Sequence, residues 1–177
     1  MIKKIVKEIY HIVTLKILFP LQYKRFAKKP LQINKAVFIE ANLSQLSGSL
    51  TYVYDELKKN GFNLHTHFLK EAFVGKFSYI KNVLACLKDI ATAQYVFLCE
   101  GSRPISCIIP RKETVIVQTW HGCGAFKKFG FSTIGFLFGA SERESEKYSY
   151  YKNYDIVTVS SPDVVWAYKE AMNISEK

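Results

Sequence analysis

The chain has 177 residues, enough for one domain with a packed core. Its residues are 49% hydrophobic and 15% aromatic, which excludes an intrinsically disordered chain. The formal net charge is +10, and residues 1–30 contribute +7 of it, so a basic surface spread over the whole molecule for nucleic acid is disfavoured.

Residues 1–30 form a basic amphipathic segment. At helical spacing its apolar side chains share one side, namely Ile2, Ile5, Val6, Ile9, Ile12 and Val13. Lys16 interrupts the apolar run, so neither a membrane-spanning helix nor a secretory signal peptide is predicted. We expect a helix on an anionic membrane surface, held there by Lys3, Lys4, Lys7, Lys24, Arg25, Lys28 and Lys29. The alternative is an ordinary amphipathic helix that packs on the domain and leaves its lysines in solvent.

Strand-like and helix-like patterns alternate through the second unit, residues 31–177. Short apolar runs predict strands at 36–41, 63–69, 95–99, 114–119 and 155–159. Helical periodicity predicts helices at 48–60, 78–91 and 163–172, the last of them started by Ser161 and Pro162. Alternation with apolar strands predicts an α/β fold, a Rossmann-like parallel sheet with flanking helices on both faces.

A glycine-punctuated turn follows the strand at 114–119 and carries a histidine, His121. Ligands of parallel sheets bind at the carboxyl ends of strands, and His121 directly follows such an end. Gly122 and Gly124 permit close approach of the backbone to a ligand, and Lys127 and Lys128 follow soon after. Imidazole accepts a proton near neutral pH, and lysine binds phosphate. The pattern favours a general base that activates a hydroxyl of a phosphorylated substrate over a lone structural histidine.

The stretch Trp120-His121-Gly122-Cys123-Gly124-Ala125-Phe126-Lys127-Lys128-Phe129-Gly130 resembles the signature of the CDP-glycerol glycerophosphotransferase family. This family comprises the teichoic acid primases and polymerases and related ribitol-phosphate enzymes. Ser47-Gly48-Ser49, before a predicted helix, is similar to the family's early loop. Tyr154-Asp155-Ile156-Val157 with Ser160-Ser161 resembles the strand and turn after the motif. The resemblance covers about residues 36–177.

The resemblance implies the N-terminal half of a GT-B fold, the half that receives the acceptor. It implies that His121 deprotonates a hydroxyl of a lipid-linked polyol-phosphate acceptor, whose oxygen attacks the β-phosphorus of CDP-glycerol or CDP-ribitol and releases CMP. Acceptor or phosphate binding is implied for Lys127, Lys128, Gly122, Gly124, Ser47, Gly48 and Ser49. The implied place is the cytoplasmic face of the cell membrane, in teichoic acid or capsular polymer synthesis, with no cofactor.

The family's second, donor-binding domain finds no counterpart in the pattern of residues 31–177. We therefore expect the chain alone not to turn over CDP-glycerol, and a separately encoded C-terminal half is a candidate partner. The alternative is a non-catalytic, membrane-associated acceptor-binding module or a subunit of a split enzyme.

Three further features are weighed against this interpretation. His65 and His67 on one strand would point both rings to one face, which suits a metal, but no further ligand stands at the right spacing, so a solvated or hydrogen-bonded pair is predicted. The four cysteines, Cys86, Cys99, Cys107 and Cys123, show no metal-like spacing and are predicted to be reduced, with Cys86 and Cys99 buried. The aromatic, glycine-rich stretch 130–139 fits either a lipid-facing or acceptor groove or a core-packing loop.

Overall fold

The computed structural model describes residues 2–122 and 124–174, except for the side chains of Lys3, Ala72 and Phe73. Five strands form one sheet in the order β2-β1-β3-β4-β5, and each neighbouring pair is parallel. The strands are β1 Gln32–Glu40, β2 Asn63–Phe68, β3 Ala93–Leu98, β4 Val115–Gln118 and β5 Ile156–Val157. The predicted parallel sheet is confirmed.

In the part of the chain that the structure describes, seven α-helices accompany the sheet. They are α1 Ile2–His11, α2 Phe19–Phe26, α3 Gly48–Lys59, α4 Glu71–Ile90, α5 Arg103–Ser106, α6 Glu142–Lys147 and α7 Val165–Met172. A π-helical stretch, Ile12–Leu18, joins α1 to α2, and 3-10 turns occupy Gly130–Thr133 and Pro162–Val164. The three predicted helices are present, but α4 begins at Glu71 rather than at Ser78, since a helical turn precedes a break at Gly75, whose φ is +74°.

Helices cover both faces of the sheet because successive residues of a strand point to opposite sides. On one face, Val37 and Ile39 of β1 join the same buried cluster as Leu87 of α4. On the other face, Phe38 joins a cluster with Leu50 of α3. The strand order reverses between β1 and β3, and the helices that follow these two strands, α3 and α5, pack on opposite faces of the sheet. Such a reversal opens a crevice of the kind in which ligands of open α/β sheets bind.

Residues 2–26 form one helical rod, which packs on the domain through the side opposite its isoleucines. Its buried members are His11, Thr14, Leu15, Phe19 and Tyr23, and the last three belong to the same core cluster as the sheet. Glu8 pairs with Lys147, and Lys7 pairs with Glu144 at 2.9 Å, so these two charged residues of α1 reach α6.

The apolar side of the rod faces outwards. Ile2, Ile5, Val6 and Ile9 are all more than half exposed, between 54% and 78%. The rod thus packs on the domain and leaves its described lysines in solvent, as in the alternative, but it packs through the side that carries Leu15, Phe19 and Tyr23 and not through its isoleucines. Its placement on a membrane surface stays a prediction. Within the described residues, no helix is long and apolar enough to cross a bilayer.

Candidate functional site

His121 lies in the loop that follows β4, beside the end of β3. Its Nδ1 is 3.0 Å from the carbonyl oxygen of Cys99 and 3.2 Å from Oε1 of Glu100. Both neighbours are acceptors, so Nδ1 carries the hydrogen and donates it. Among the described residues Nε2 has no hydrogen-bond partner, and the side chain is 43% exposed. The ring therefore presents an unprotonated nitrogen to the open carboxyl-end face of the sheet.

Trp120 fixes the backbone that carries His121. It is buried yet adopts a left-handed conformation with φ +56°, and its N–H donates to Oε1 of Gln118 at 2.9 Å. Its ring stacks on Phe129 with centroids 4.4 Å apart and meets Tyr168 of α7 edge-on at 6.1 Å. Such backbone strain persists only where packing holds it, and it gathers at functional loops. The tryptophan thus anchors the loop while the next residue points out of it.

The serine loop, residues 47–49, contacts the loop that carries His121. The sequence predicted that both belong to one site. Ser49 Oγ donates to the carbonyl of Trp120 at 3.0 Å. Ser47 N–H donates to Glu40 Oε2 at 3.2 Å, and Cys99 Sγ lies 3.4 Å from the same oxygen. Gly48 faces open space. Sequence reasoning missed Glu40, although an acid that ends an apolar strand run was the available signal.

The glycines and lysines of the motif occupy less constrained positions. The Gly122 carbonyl accepts a hydrogen bond from Tyr168 Oη at 3.2 Å, and Gly124 lies against the Phe126 ring. Lys127 and Lys128 are exposed, and no contact joins either to His121 in the part of the chain that the structure describes. Their phosphate-binding role stays a prediction, and Cys123 lies outside the described residues.

The glycine-rich stretch 130–139 divides into two parts with different environments. A Cβ at Gly130 would lie 2.2 Å from the Ala171 carbonyl oxygen, so this end packs tightly against α7. Leu137 and Phe138 are exposed, and Lys128 Nζ lies 5.4 Å from the centroid of the half-exposed Phe136 ring. The stretch therefore packs at its start and presents apolar side chains to solvent at its end.

His65 and His67 both approach Asp89, and of the solvated or hydrogen-bonded pair that the sequence predicted, His67 makes the hydrogen bond. His67 Nε2 is 3.0 Å and His65 Nδ1 3.4 Å from Oδ2 of Asp89, whose other oxygen binds Lys35 Nζ at 2.9 Å. Burial lowers the pKa of His67 despite the neighbouring Asp89. Residues 2–122 and 124–174 contain no group of three or more histidine, cysteine or acidic side chains suited to a metal ion. Cys86 and Cys99 are buried thiols, as predicted, and burial raises the pKa of Cys99 to about 12.

The fold and the histidine loop define one half of a GT-B transferase-type fold. Residues 21–177 match the model of the CDP-glycerol:poly(glycerophosphate) glycerophosphotransferase family, and the chain belongs to this family. The suspected family is thereby confirmed.

The relatives are enzymes of teichoic acid synthesis. The chain is 33% identical over 151 residues to the teichoic acid ribitol-phosphate primase of Bacillus spizizenii, covering 84% of this chain and 39% of the relative. It is 26% identical over 148 residues to the teichoic acid glycerol-phosphate primase of Bacillus subtilis, covering 80% of this chain and 37% of the relative. A structure of the wall teichoic acid polymerase TagF soaked with CDPG superposes with a TM-score of 0.63 at 12% identity, over 99% of this chain and 46% of that one. The chain thus spans less than half the length of these proteins.

Proposed function

We propose that this chain is the acceptor-side half of a polyol-phosphate transferase that moves glycerol phosphate or ribitol phosphate from a CDP-activated donor to an acceptor. The product is a teichoic acid or a related capsular polymer. One observation carries the proposal: His121 lies in the loop that follows β4, has Nδ1 within hydrogen-bond reach of two oxygens, and leaves Nε2 open. Family membership and the names of the relatives support the substrate class.

The chemistry assigns His121 the role of general base. Nε2 accepts the proton of the acceptor hydroxyl, and the hydroxyl oxygen forms a bond to the β-phosphorus of the CDP-polyol. The bond between that phosphorus and the bridging oxygen breaks, and CMP leaves with the electron pair. The Glu100 carboxylate at 3.2 Å from Nδ1 stabilises the imidazolium that forms. Lys127 and Lys128 hold phosphate charge in this proposal, since their loop is exposed beside the histidine.

The donor in this proposal is CDP-glycerol or CDP-ribitol. The family description names CDP-glycerol, and TagF was soaked with CDPG. Because the chain matches less than half of its relatives, donor binding is assigned to a second domain, carried by further chain or by a separate polypeptide. The 177 residues alone are expected to release no CMP.

An assay of CMP release tests the transferase. Residues 1–177 are joined to the remaining C-terminal part of the Bacillus spizizenii primase and supplied with CDP-glycerol or CDP-ribitol and a lipid-linked acceptor. We expect acceptor-dependent CMP release that falls about 100-fold or more in His121→Ala, as for loss of a general base. His65→Ala is the matched control and keeps its rate, since His65 belongs to the Asp89 cluster. A folded fusion that releases no CMP, or one that His121→Ala leaves unchanged, contradicts the proposal.

We propose in addition that the rod 2–26 lies on the cytoplasmic face of the cell membrane, where a lipid-linked acceptor is anchored. Its exposed isoleucine side supports this placement, because a row of large apolar side chains in water favours burial in an acyl layer. Lys24, Arg25, Lys28 and Lys29 are exposed at the end of the rod and suit anionic headgroups.

Co-sedimentation with anionic vesicles tests the membrane placement. The double variant Ile5→Gln/Ile9→Gln is expected to bind about tenfold more weakly or worse, because it removes two exposed apolar side chains. Ile33→Gln/Ile109→Gln is the matched control, since both residues are exposed but lie outside the rod. Raised salt should also weaken binding. Equal sedimentation of the two double variants, or no sedimentation of the wild type, contradicts the placement.

A further inference from the structure

A cleft of about 410 Å³ lies between the rod and the carboxyl ends of β1 and β3. Ala41 and Asn42 follow β1, Gly101 and Ser102 follow β3, and Tyr10 closes the cleft from the rod. This is the crevice where the strand order reverses, the place at which open α/β sheets bind ligands. Its volume falls within the range of about 300–1,000 Å³ that is typical of small-molecule sites.

Glu100 joins the cleft to the histidine. Glu100 is one of the residues that line the cleft, and its Oε1 lies 3.2 Å from His121 Nδ1. The open nitrogen, Nε2, is on the other side of the imidazole ring. The Glu100 carboxylate therefore lies between His121 and a ligand in the cleft. Such a ligand is not the group that loses its proton to Nε2.

The charges around the cleft disfavour a phosphate. Two carboxylates, Glu71 and Glu100, line it. Burial and the nearby Arg103 lower the pKa of His11, so this imidazole is neutral at neutral pH. The guanidinium of Arg103 is already engaged: it donates to the Tyr148 carbonyl and to Glu144, both at 3.3 Å, and it lies 4.3 Å from the Tyr150 ring.

The remaining lining suits hydroxyl groups. Four tyrosines take part, Tyr10, Tyr79, Tyr150 and Tyr151, together with the amide of Asn42. Burial raises the pKa of Tyr79 and of Tyr151, so their phenols keep their protons and can donate as well as accept hydrogen bonds. Aromatic faces also pack against the C–H groups of a sugar or polyol, while amide and carboxylate oxygens accept from its hydroxyls.

We propose that this cleft binds an uncharged, hydroxyl-rich unit of the acceptor, a sugar ring or an open-chain polyol, remote from the hydroxyl that reacts at His121. The identity of the ligand as part of an acceptor rests on the proposed transferase function. The binding of such a unit depends only on the cleft itself, so the cleft proposal and the transferase proposal can fail separately.

Titrations followed by two-dimensional amide NMR test the proposal with three probes: glucose, sorbitol, which is the open-chain polyol formed by reducing glucose, and glucose 6-phosphate. We expect the backbone amide signals of Asn42, Gly101 and Ser102 to shift when glucose or sorbitol is added. The compound that binds more tightly shows whether the cleft prefers a sugar ring or an open-chain polyol. Glucose 6-phosphate should bind more weakly than glucose, because Glu71 and Glu100 repel it. Glu71→Gln should reduce the difference in affinity between glucose and glucose 6-phosphate.

Two variants and two matched controls locate the binding. Tyr150→Leu and Asn42→Ala should each weaken binding about three- to tenfold, as for loss of one hydrogen bond or ring contact. Tyr52→Leu and Asn34→Ala change exposed residues outside the cleft and should leave binding unchanged. Melting temperatures confirm that all four remain folded.

Three results would overturn the proposal: no binding by glucose or sorbitol, tighter binding by glucose 6-phosphate, or equal effects of the cleft variants and their controls. If glucose or sorbitol binds as expected while the fusion releases no CMP, the cleft assignment stands and the transferase proposal fails. CMP release that depends on His121, without binding in the cleft, overturns the cleft assignment alone.

Discussion

The two oxygen atoms beside Nδ1 of His121 determine which tautomer its ring adopts. For neutral His121 we predict hydrogen on Nδ1 and a bare Nε2, because the Cys99 carbonyl and Glu100 can only accept from Nδ1. Long-range ¹H–¹⁵N NMR of the imidazole measures the tautomer directly.

The matched change is Glu100→Ala, which leaves the Cys99 carbonyl in place. In this variant the Nδ1–H tautomer should still dominate, but the fraction of the Nε2–H tautomer should rise, since one of the two acceptors of Nδ1 is lost. Glu113→Ala, on an exposed loop, should change nothing. A wild-type ring that carries its hydrogen mainly on Nε2 would contradict both the geometry and the assigned role as base.

Glu40 is a buried carboxylate that organises the serine loop. It accepts from Ser47 N–H at 3.2 Å and from Asn42 N–H at 3.3 Å. Glu40→Ala should therefore lower the free energy of unfolding by about 1–3 kcal/mol, because these donors lose their partner. Urea denaturation measures the change against Glu113→Ala, and an equal effect of the two substitutions would show that the buried carboxylate stabilises nothing.

The sequence singles out His121, Ser47 and Ser49 as candidate site residues, but it does not reveal the partners that position them. Local patterns mark strand ends and glycine turns, and these three residues lie at such places. Glu100 acts on His121 only because β3 and β4 are neighbours in the sheet, with Leu98 opposite Gln118. Strand order and register depend on long-range packing, which a local pattern does not encode.

At the scale of elements, the rod shows where pattern reasoning stops. Its helical period predicts a helix with an apolar and a polar side, and both exist. Which side packs on the domain is decided by partners far along the chain: Glu8 meets Tyr148 and Lys147, and Tyr23 meets the backbone of Arg111. The start of α4 was missed for a different reason, since Gly75 breaks the periodicity that marks the rest of the helix.

Gly130 joins the motif loop to α7, and a side chain there should separate them. Its φ is +56°, and an added Cβ would lie 2.2 Å from the Ala171 carbonyl oxygen and 2.7 Å from the Tyr151 ring. Gly130→Ala is expected to lower the free energy of unfolding by about 2–4 kcal/mol, the combined effect of strain and overpacking. Thermal or urea unfolding measures it.

Gly61→Ala is the matched control for that experiment. Its φ is +75°, so it shares the backbone strain, but nothing lies within 4 Å of an added Cβ. Gly61→Ala should lower the free energy of unfolding by about 1 kcal/mol. Equal losses in the two variants would show that the contact with α7 does not constrain Gly130.

At the scale of the whole molecule, we expect two histidines, the buried His11 and the partly buried His67, to make stability depend on pH. Burial and then Arg103 lower the pKa of His11, and burial lowers that of His67, below the value of about 6.5 expected in the unfolded chain. The unfolded state therefore binds more protons just below this pH, so stability should fall as pH falls from about 7.5 to about 5.5.

The carboxylates that face these histidines do not explain a loss in that window. Burial opposes the ionisation of Asp89, but Lys35 lowers its pKa overall, and Lys7 lowers that of Glu144. Their contributions persist until the pH falls below about 4. His11→Gln and His67→Gln should each flatten the pH dependence measured by urea unfolding, whereas His65→Gln should do so less. A stability that is constant between these pH values would contradict the burial of both rings.

The contact between Trp120 and His121 also gives the molecule an optical signal of its own. Their ring centroids lie 4.4 Å apart, and of the two tryptophans in the chain Trp120 is 8% exposed while Trp166 is 66% exposed. With Trp166→Phe as background, tryptophan emission comes from Trp120 alone. A positive charge on the neighbouring imidazole interacts with the indole ring, so we expect protonation of His121 to change that emission. If His121 takes up a proton as proposed, fluorescence would follow that step in real time, without a labelled substrate.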